Sequence, residues 1–333
     1  MPGNEDPIAV NRPGFGGAFS FPMNRWVFLA VGVLMCLCVL YQFVAGTVDR
    51  LTNPPPGKFI EVAGLRMHLV CTGQGSPTVV LDSGLSDTWL HWFKVQPDVA
   101  KFTRVCSFDR AGLGYSDPRP GPRTSRAMAA ELHALLHNAG IAPPYVLAGH
   151  SLGGLNSLMY ASLYPDDVSG MVLVDSAHPD QYRRFPEFEQ AADEWRGRIE
   201  QEHTGMIFGI PRIFGKCGTA LHGQEAAFRA FDCTAQQKAG ALAEMDGFAE
   251  SLDQVRHTGP LGDMPLIVVS EAPTDPTMQK FLAAWYPLQD ELAQRSSRGR
   301  RVVAQGAGHQ IAQDRPDVVI AAIGEVVGQV RGE

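Results

Sequence analysis

Residues 145–160 read Tyr145-Val-Leu-Ala-Gly-His-Ser151-Leu-Gly-Gly-Leu-Asn-Ser-Leu-Met-Tyr160. An apolar run, a serine bracketed by glycines and a helical pattern follow one another without a spacer. Gly149-His150-Ser151-Leu152-Gly153 is a G-x-S-x-G. Composition alone would give roughly 0.17 such patterns by chance, so the five residues say little by themselves. Their context says more. A buried strand running straight into a helix requires a sharp turn, glycines permit it, and the serine hydroxyl is lifted above the sheet. The arrangement predicts a nucleophile elbow; the bland alternative is a serine in an ordinary glycine-rich turn.

Working outward, short runs rich in Val, Ile and Leu occupy 78–81, 104–108, 145–148, 171–174, 266–269 and 301–304, and helical patterns at 125–139, 153–164 and 316–330 separate several of them. Apolar strands alternating with helices predict an α/β fold with a mostly parallel sheet covered on both faces. Residues 58–62 and 66–71, around Gly64, read as an antiparallel hairpin. Ligands of such sheets bind beyond the carboxyl ends of the strands, so the residues just after each strand matter most.

The chain has 333 residues, 45% hydrophobic and 19% charged, which suits one large domain or two small ones. With 28 basic against 35 acidic side chains and no basic stripe, a nucleic-acid partner is disfavoured. A mean hydropathy of -0.07 averages over one very apolar stretch. Residues 26–46 carry no charge, and Gln42 is their one strongly polar residue. Roughly 21 helical residues span about 30 Å, enough to cross a lipid bilayer.

A retained single-pass anchor is the preferred reading of this stretch. Its rivals are a signal peptide cleaved near Val44-Ala45-Gly46, giving a secreted protein, and a buried core helix. The long preceding segment argues against cleavage. Arg12 and Arg25 precede the run, Arg50 and Lys58 follow it, and Glu5 and Asp6 count for little. The balance leans towards an inside N-terminus and a catalytic part outside the cytoplasm. Residues 1–25 are then a tail, 26–46 the anchor, 47–57 a Pro-rich spacer with an extended Thr52-Asn-Pro-Pro-Pro-Gly57, and 58–333 the folded domain.

Cys36 and Cys38 fall in the apolar stretch. Cys71 and Cys106 lie in strand-like runs and read as buried thiols. Cys217 and Cys233 lie in a polar, loop-rich stretch and can pair if the domain faces an oxidising compartment. No CxxC or Cys/His spacing suggests zinc. His133 and His137 are four apart on a helical pattern but lack the glutamate of a zinc-protease helix, so a solvated face is expected.

Four segments together resemble the α/β-hydrolase superfamily over about residues 58–333. They are Val79-Val-Leu-Asp-Ser-Gly84, Phe108-Asp-Arg-Ala-Gly-Leu-Gly-Tyr-Ser-Asp117, Gly149-His-Ser-Leu-Gly-Gly154 and Gly306-Ala-Gly-His309. The resemblance implies an eight-stranded core sheet, a serine nucleophile, a histidine base and an acid, with no metal or organic cofactor. Ser151 needs a base within reach. In the family the catalytic histidine occupies the loop between the last strand and last helix, which here holds His309. His150 is expected to shape the elbow.

Family members carry the acid after the strand following the elbow helix, or after the next strand. Asp175 meets the first description and is preferred; Asp275 is the alternative, with Glu271 nearby, although Ser270 stands where a Gly-x-x-Asp loop would begin. Asp175 as a purely structural strand-end carboxylate also remains open. The oxyanion hole would use the backbone N–H groups of Leu152 and Leu85. Family members often read His-Gly there; Asp82-Ser83-Gly84-Leu85 keeps the glycine and replaces the histidine.

The loop Asp109-Arg110-Ala-Gly-Leu-Gly114 lacks the phosphate-binding spacing and is read as structural. Residues 178–260, with scattered aromatics such as Tyr182, Phe188 and Trp195, form the expected helical lid, some of them lining a pocket. Trp89 and Trp92 are further candidate walls.

The sequence thus reads as a membrane-anchored serine hydrolase cleaving a carboxylic ester or related acyl bond of a small molecule. A serine nucleophile argues against the haloalkane dehalogenases and epoxide hydrolases of this fold, which use Asp. Esterase, lipase, thioesterase, proline-iminopeptidase-like and carbon–carbon hydrolase chemistry stay open. The rival from another class is a non-catalytic membrane-tethered binding module on the same scaffold.

Overall fold

A computed structural model describes residues 25–218 and 221–333. The tail up to residue 24, with Glu5, Asp6 and Arg12, lies outside the described residues. Helix α1 (Arg25–Thr52) comes first and is long and apolar enough to cross a membrane. It runs six residues past the expected anchor, so 47–52 are helical and the extended spacer shrinks to 53–57. Pro54, Pro55 and Pro56 explain the stop: each removes an N–H donor and biases the residue before it away from helix.

Eight strands follow: β1 (Lys58–Val62), β2 (Leu65–Thr72), β3 (Thr78–Asp82), β4 (Val105–Phe108), β5 (Tyr145–His150), β6 (Val168–Val174), β7 (Leu266–Ala272) and β8 (Gly299–Gln305). They form one sheet in the order β1-β2-β4-β3-β5-β6-β7-β8. The β1–β2 and β2–β4 pairs are antiparallel and all others parallel. Successive side chains of a strand point to opposite faces, so the central strands divide their apolar residues between two cores. Val80, Leu147, Met171 and Val268 face one side, with helices α2 (Ser125–Asn138) and α3 (Leu152–Leu163). Val79, Leu81, Val146 and Ile267 face the other, against Val319, Ile323 and Val326 of the last long helix.

Between β6 and β7 the chain leaves the sheet for a helical excursion: a short turn at Gln181–Arg184, then α4 (Pro186–Ile207), α5 (Ile210–Ile213), α6 (Glu225–Asp232), α7 (Ala235–Asp246) and α8 (Phe248–Arg256). Two further long helices, α9 (Gln279–Ala293) and α10 (Pro316–Arg331), complete the layers. The excursion also meets α1. Gln42 Nε2 donates to Cys233 O at 2.6 Å, and Arg212 donates to Gln42 Oε1 at 3.1 Å and pairs with Asp49.

The cysteines correct one expectation. Cys71 and Cys106 are not free thiols but a disulfide, directly opposite each other in the β2–β4 register with Cα atoms 4.0 Å apart. The strand order explains the error: β4 is inserted beside β2, so cysteines 35 residues apart become cross-strand neighbours. Cys217 and Cys233 also pair, at a Cα separation of 5.5 Å.

Candidate active site

The elbow is built by close backbone approach. A Cβ on Gly149 would lie 2.3 Å from Gly153 O, and one on Gly153 would lie 2.3 Å from Asp82 O, so neither position tolerates a side chain. Between them Ser151 is held at φ 51°, a conformation a non-glycine residue adopts only under constraint. The constraint is visible: Ser151 N donates to Val174 O at 3.1 Å, while Ser151 O accepts from Gly154 N and Ala177 N. The half-buried serine thus sits at the carboxyl edge of the sheet, at the N-terminus of α3.

Asp175 directly follows β6, fully buried and also at positive φ (40°). Its Oδ2 meets His309 Nδ1 at 2.6 Å, and its Oδ1 accepts from Trp285 Nε1 at 2.8 Å and from Glu271 N at 3.3 Å. His309 lies in the loop after β8, its ring about half exposed and its centroid 4.7 Å from that of His150. His150, beside the serine, is buried; its Nε2 lies 2.9 Å from His309 O and its Nδ1 3.6 Å from Asp87. Asp275, the alternative acid, lies apart from this cluster. It is exposed, and its Oδ1 accepts from Thr277 N and Thr277 Oγ1 at 2.8 and 2.7 Å, capping a turn.

Electrostatics distinguish His309 from Glu271. The protein around His309 disfavours charge on the ring, but the hydrogen bond and charge of Asp175, reinforced by Glu271 and Asp87, outweigh this and raise its pKa. Burial, and then the neighbouring Asp175 carboxylate, push Glu271 up to about 7. Among the described residues, Asp175, Glu271 and His309 are also the one His/Cys/Asp/Glu grouping close enough to share an ion, with ligand atoms within 4.8 Å. Both Asp175 oxygens already accept protein hydrogen bonds, so the donor set suits holding a proton better than a cation. His133 and His137 do not converge: His133 stacks on Tyr164 at 3.9 Å, and His137 contacts Asn138.

A cavity of about 320 Å³ opens over the serine. Ser151 and Leu85 share it with Tyr182, Phe188, Trp195, Met245 and Phe248 from the excursion. Among the described residues, no loop or helix-end hydrogen bond uses the N–H of Leu85 or Leu152. Trp89 and Trp92 are not among the cavity walls: Trp92 is buried in the core beneath β3, and Trp89 packs edge-on against His68.

One part of the site was not anticipated. Arg110, expected only as loop structure, is buried, and its guanidinium holds the turn after β3. It donates to Asp82 Oδ1 (2.6 Å), Ser83 O (2.7 Å) and Gly84 O (2.6 Å). Its Nε reaches Glu244 Oε1 of α7 at 2.6 Å, and Glu244 Oε2 accepts from Ser86 N at 2.8 Å. Asp82, closing an apolar strand run, is the available signal, since a buried aspartate needs a cation. The distant Glu244 gave none. Removing the cation from this network strands two buried carboxylates, so Arg110→Met is expected to cost about 3–5 kcal/mol of stability. Urea unfolding would read this, and a loss below about 1 kcal/mol would show that the network is dispensable.

Comparison with known proteins adds the following. A family model described as alpha/beta hydrolase fold matches residues 77–241. An uncharacterized protein of Bacillus subtilis, YqjL, is 26% identical over 259 residues, covering 76% of this chain and 85% of that one. Other curated relatives are matched less fully, the chain spanning 56%, 18% and 39% of three of them. Among solved structures, a thermophilic esterase from Thermogutta terrifontis aligns with a TM-score of 0.60 at 23% identity, over 82% of this chain and 98% of the esterase. The epoxide hydrolase CorEH aligns with a TM-score of 0.62 at 18% identity, over 82% and 99%.

Proposed function

The chain belongs to the α/β-hydrolase superfamily, and from that membership we propose that it is a membrane-anchored serine hydrolase cleaving a carboxylic ester or related acyl bond. The observation that carries the reading is the Asp175–His309 contact of 2.6 Å beside an elbow whose apex is a serine. Ser151 Oγ attacks the acyl carbonyl while His309 Nε2 takes its proton. The N–H groups of Leu85 and Leu152 receive the developing oxyanion. His309 then protonates the leaving group, water attacks the acyl-enzyme with the same histidine as base, and free acid is released. Asp175 holds the imidazole by Nδ1 and stabilises its cationic form. Epoxide hydrolases share the fold, but serine at the elbow apex supports acyl transfer.

A fluorophosphonate probe tests this reading directly. It should label Ser151 in the folded chain, and labelling should vanish in His309→Ala. No adduct on Ser151 would instead favour a binding module on this scaffold. The raised pKa of His309 gives a second expectation. The base works only when neutral, so kcat/KM falls as pH drops through that pKa. The midpoint of this acid limb should lie above the ordinary histidine value of about 6.5. A midpoint at or below 6 would remove His309 as the base.

The anchor reading rests on α1, none of whose residues is buried. Two disulfides in the following domain suit an oxidising compartment, which supports a catalytic part outside the cytoplasm.

A further inference from the structure

Residues 207–216 of the excursion read Ile207-Phe-Gly-Ile-Pro-Arg-Ile-Phe-Gly-Lys216. Ile207, Ile210, Ile213 and Phe214 are 42%, 47%, 54% and 72% exposed. Among the described residues outside α1, the other exposed large hydrophobics are Phe59 and Trp195 alone, so this is a concentration rather than scatter. Its place matters as much as its composition. A Cβ on Gly209 would lie 3.2 Å from Gln42 Cβ, and Arg212 donates to Gln42 Oε1, so the segment lies directly against α1 at Gln42.

Gln42 is four residues inside the Gly46 end of the apolar run, about 6 Å along the helix axis. In-plane amphipathic segments sit about 5–10 Å deep in the boundary between headgroups and acyl chains. Aromatic and basic side chains favour that boundary, and the segment ends on Phe214 and Lys216. The contact also accounts for a glutamine within the apolar run: Cys233 O and Arg212 satisfy its amide where the excursion meets the helix.

We propose that residues 207–216 form a second contact with the phospholipid bilayer, lying in its plane beside α1. The proposal rests on the reading of α1 as an anchor. The wall of the Ser151 cavity and the membrane contact then share one helix, α4, whose first half carries Phe188 and Trp195 and whose last residue is Ile207. The catalytic domain is held with its excursion towards the lipid rather than swinging freely on the spacer.

The test uses the full chain with Cys36→Ala and Cys38→Ala, reconstituted in phosphatidylcholine–phosphatidylglycerol vesicles under non-reducing conditions. A fluorophore is placed in turn through Phe214→Cys, Ile210→Cys, Val33→Cys and Arg300→Cys. At 214 and 210, brominated lipids should remove most of the emission and aqueous iodide little; at 300 the order should reverse. Quenching at 214 and 210 by iodide alone would overturn the proposal. So would shielding from both quenchers, the signature of a second protein copy on this face. In either case a probe at 33 still quenched by brominated lipid leaves the anchor reading standing. Loss of lipid quenching at 33 as well would defeat the anchor reading itself.

Discussion

On the proposed role, Ser151→Ala is expected to lower kcat for an activated ester by about 10⁶-fold while leaving KM nearly unchanged. The size of the effect follows from the assigned role. In that role the hydroxyl oxygen would make the covalent bond, and the neighbouring His150 does not replace it, because it is buried with its ring nitrogens turned to His309 O and Asp87. The cavity walls, Tyr182, Phe188 and Phe248 among them, are untouched by the change, so binding persists. Adding His309→Ala to Ser151→Ala should cost almost nothing more, since base and nucleophile act as one unit. Single-turnover release of the alcohol, followed in both variants and their combination, decides it. Activity within tenfold of the unaltered chain would transfer the chemistry away from Ser151.

Asp175→Asn should lower kcat by about 10⁴-fold. An amide in place of Oδ2 no longer accepts from His309 Nδ1 as a charged partner, which favours the wrong tautomer and leaves the imidazolium of the transition state unsupported. The same carboxylate helps hold the His309 pKa up, so the acid limb of the pH profile should also move to lower pH. A merely structural strand-end carboxylate would not produce that displacement. Asp275→Asn, at an exposed turn cap, should leave both kcat and the profile within about twofold of the starting enzyme, a change worth roughly 0.4 kcal/mol. Equal losses in the two variants would remove Asp175 from its proposed role.

Much of this architecture is legible in the sequence. The central strands are buried on both faces, and such strands leave uninterrupted Val, Ile and Leu runs, which is why β5 and β6 were found within two or three residues of their ends. The juxtaposition of Asp175 and His309 was reachable because both follow strands of a parallel sheet, whose carboxyl ends share one edge. What failed depended on partners far away in the chain. Cys71 and Cys106 looked like core thiols because nothing local reveals that β4 inserts beside β2. Arg110 looked like loop scaffolding because its partner Glu244 is 134 residues distant, in a stretch whose helices carry ordinary surface patterns. Trp92 looked like a cavity wall because nearness in sequence to the turn after β3 does not reveal which side of the sheet a ring enters.

The Arg110 clamp bears on how such an enzyme could be re-engineered or diversify. It ties α7 to the turn after β3, and the same helix comes so close to the Gly112 turn that a Cβ on Gly240 would lie 2.5 Å from Gly112 O. The excursion therefore has two inheritances. Its first part, α4 to α6, has the Cys217–Cys233 bridge around α6 and packs on the core there through Phe228 and Phe231 against Leu90, so it is the part expected to tolerate exchange for another segment. From Thr234 onwards it is an outlying piece of the scaffold. A chimera that swaps in a foreign α7 must bring an acid to position 244 and glycine to position 240, or rebuild Asp82 and Arg110 to match.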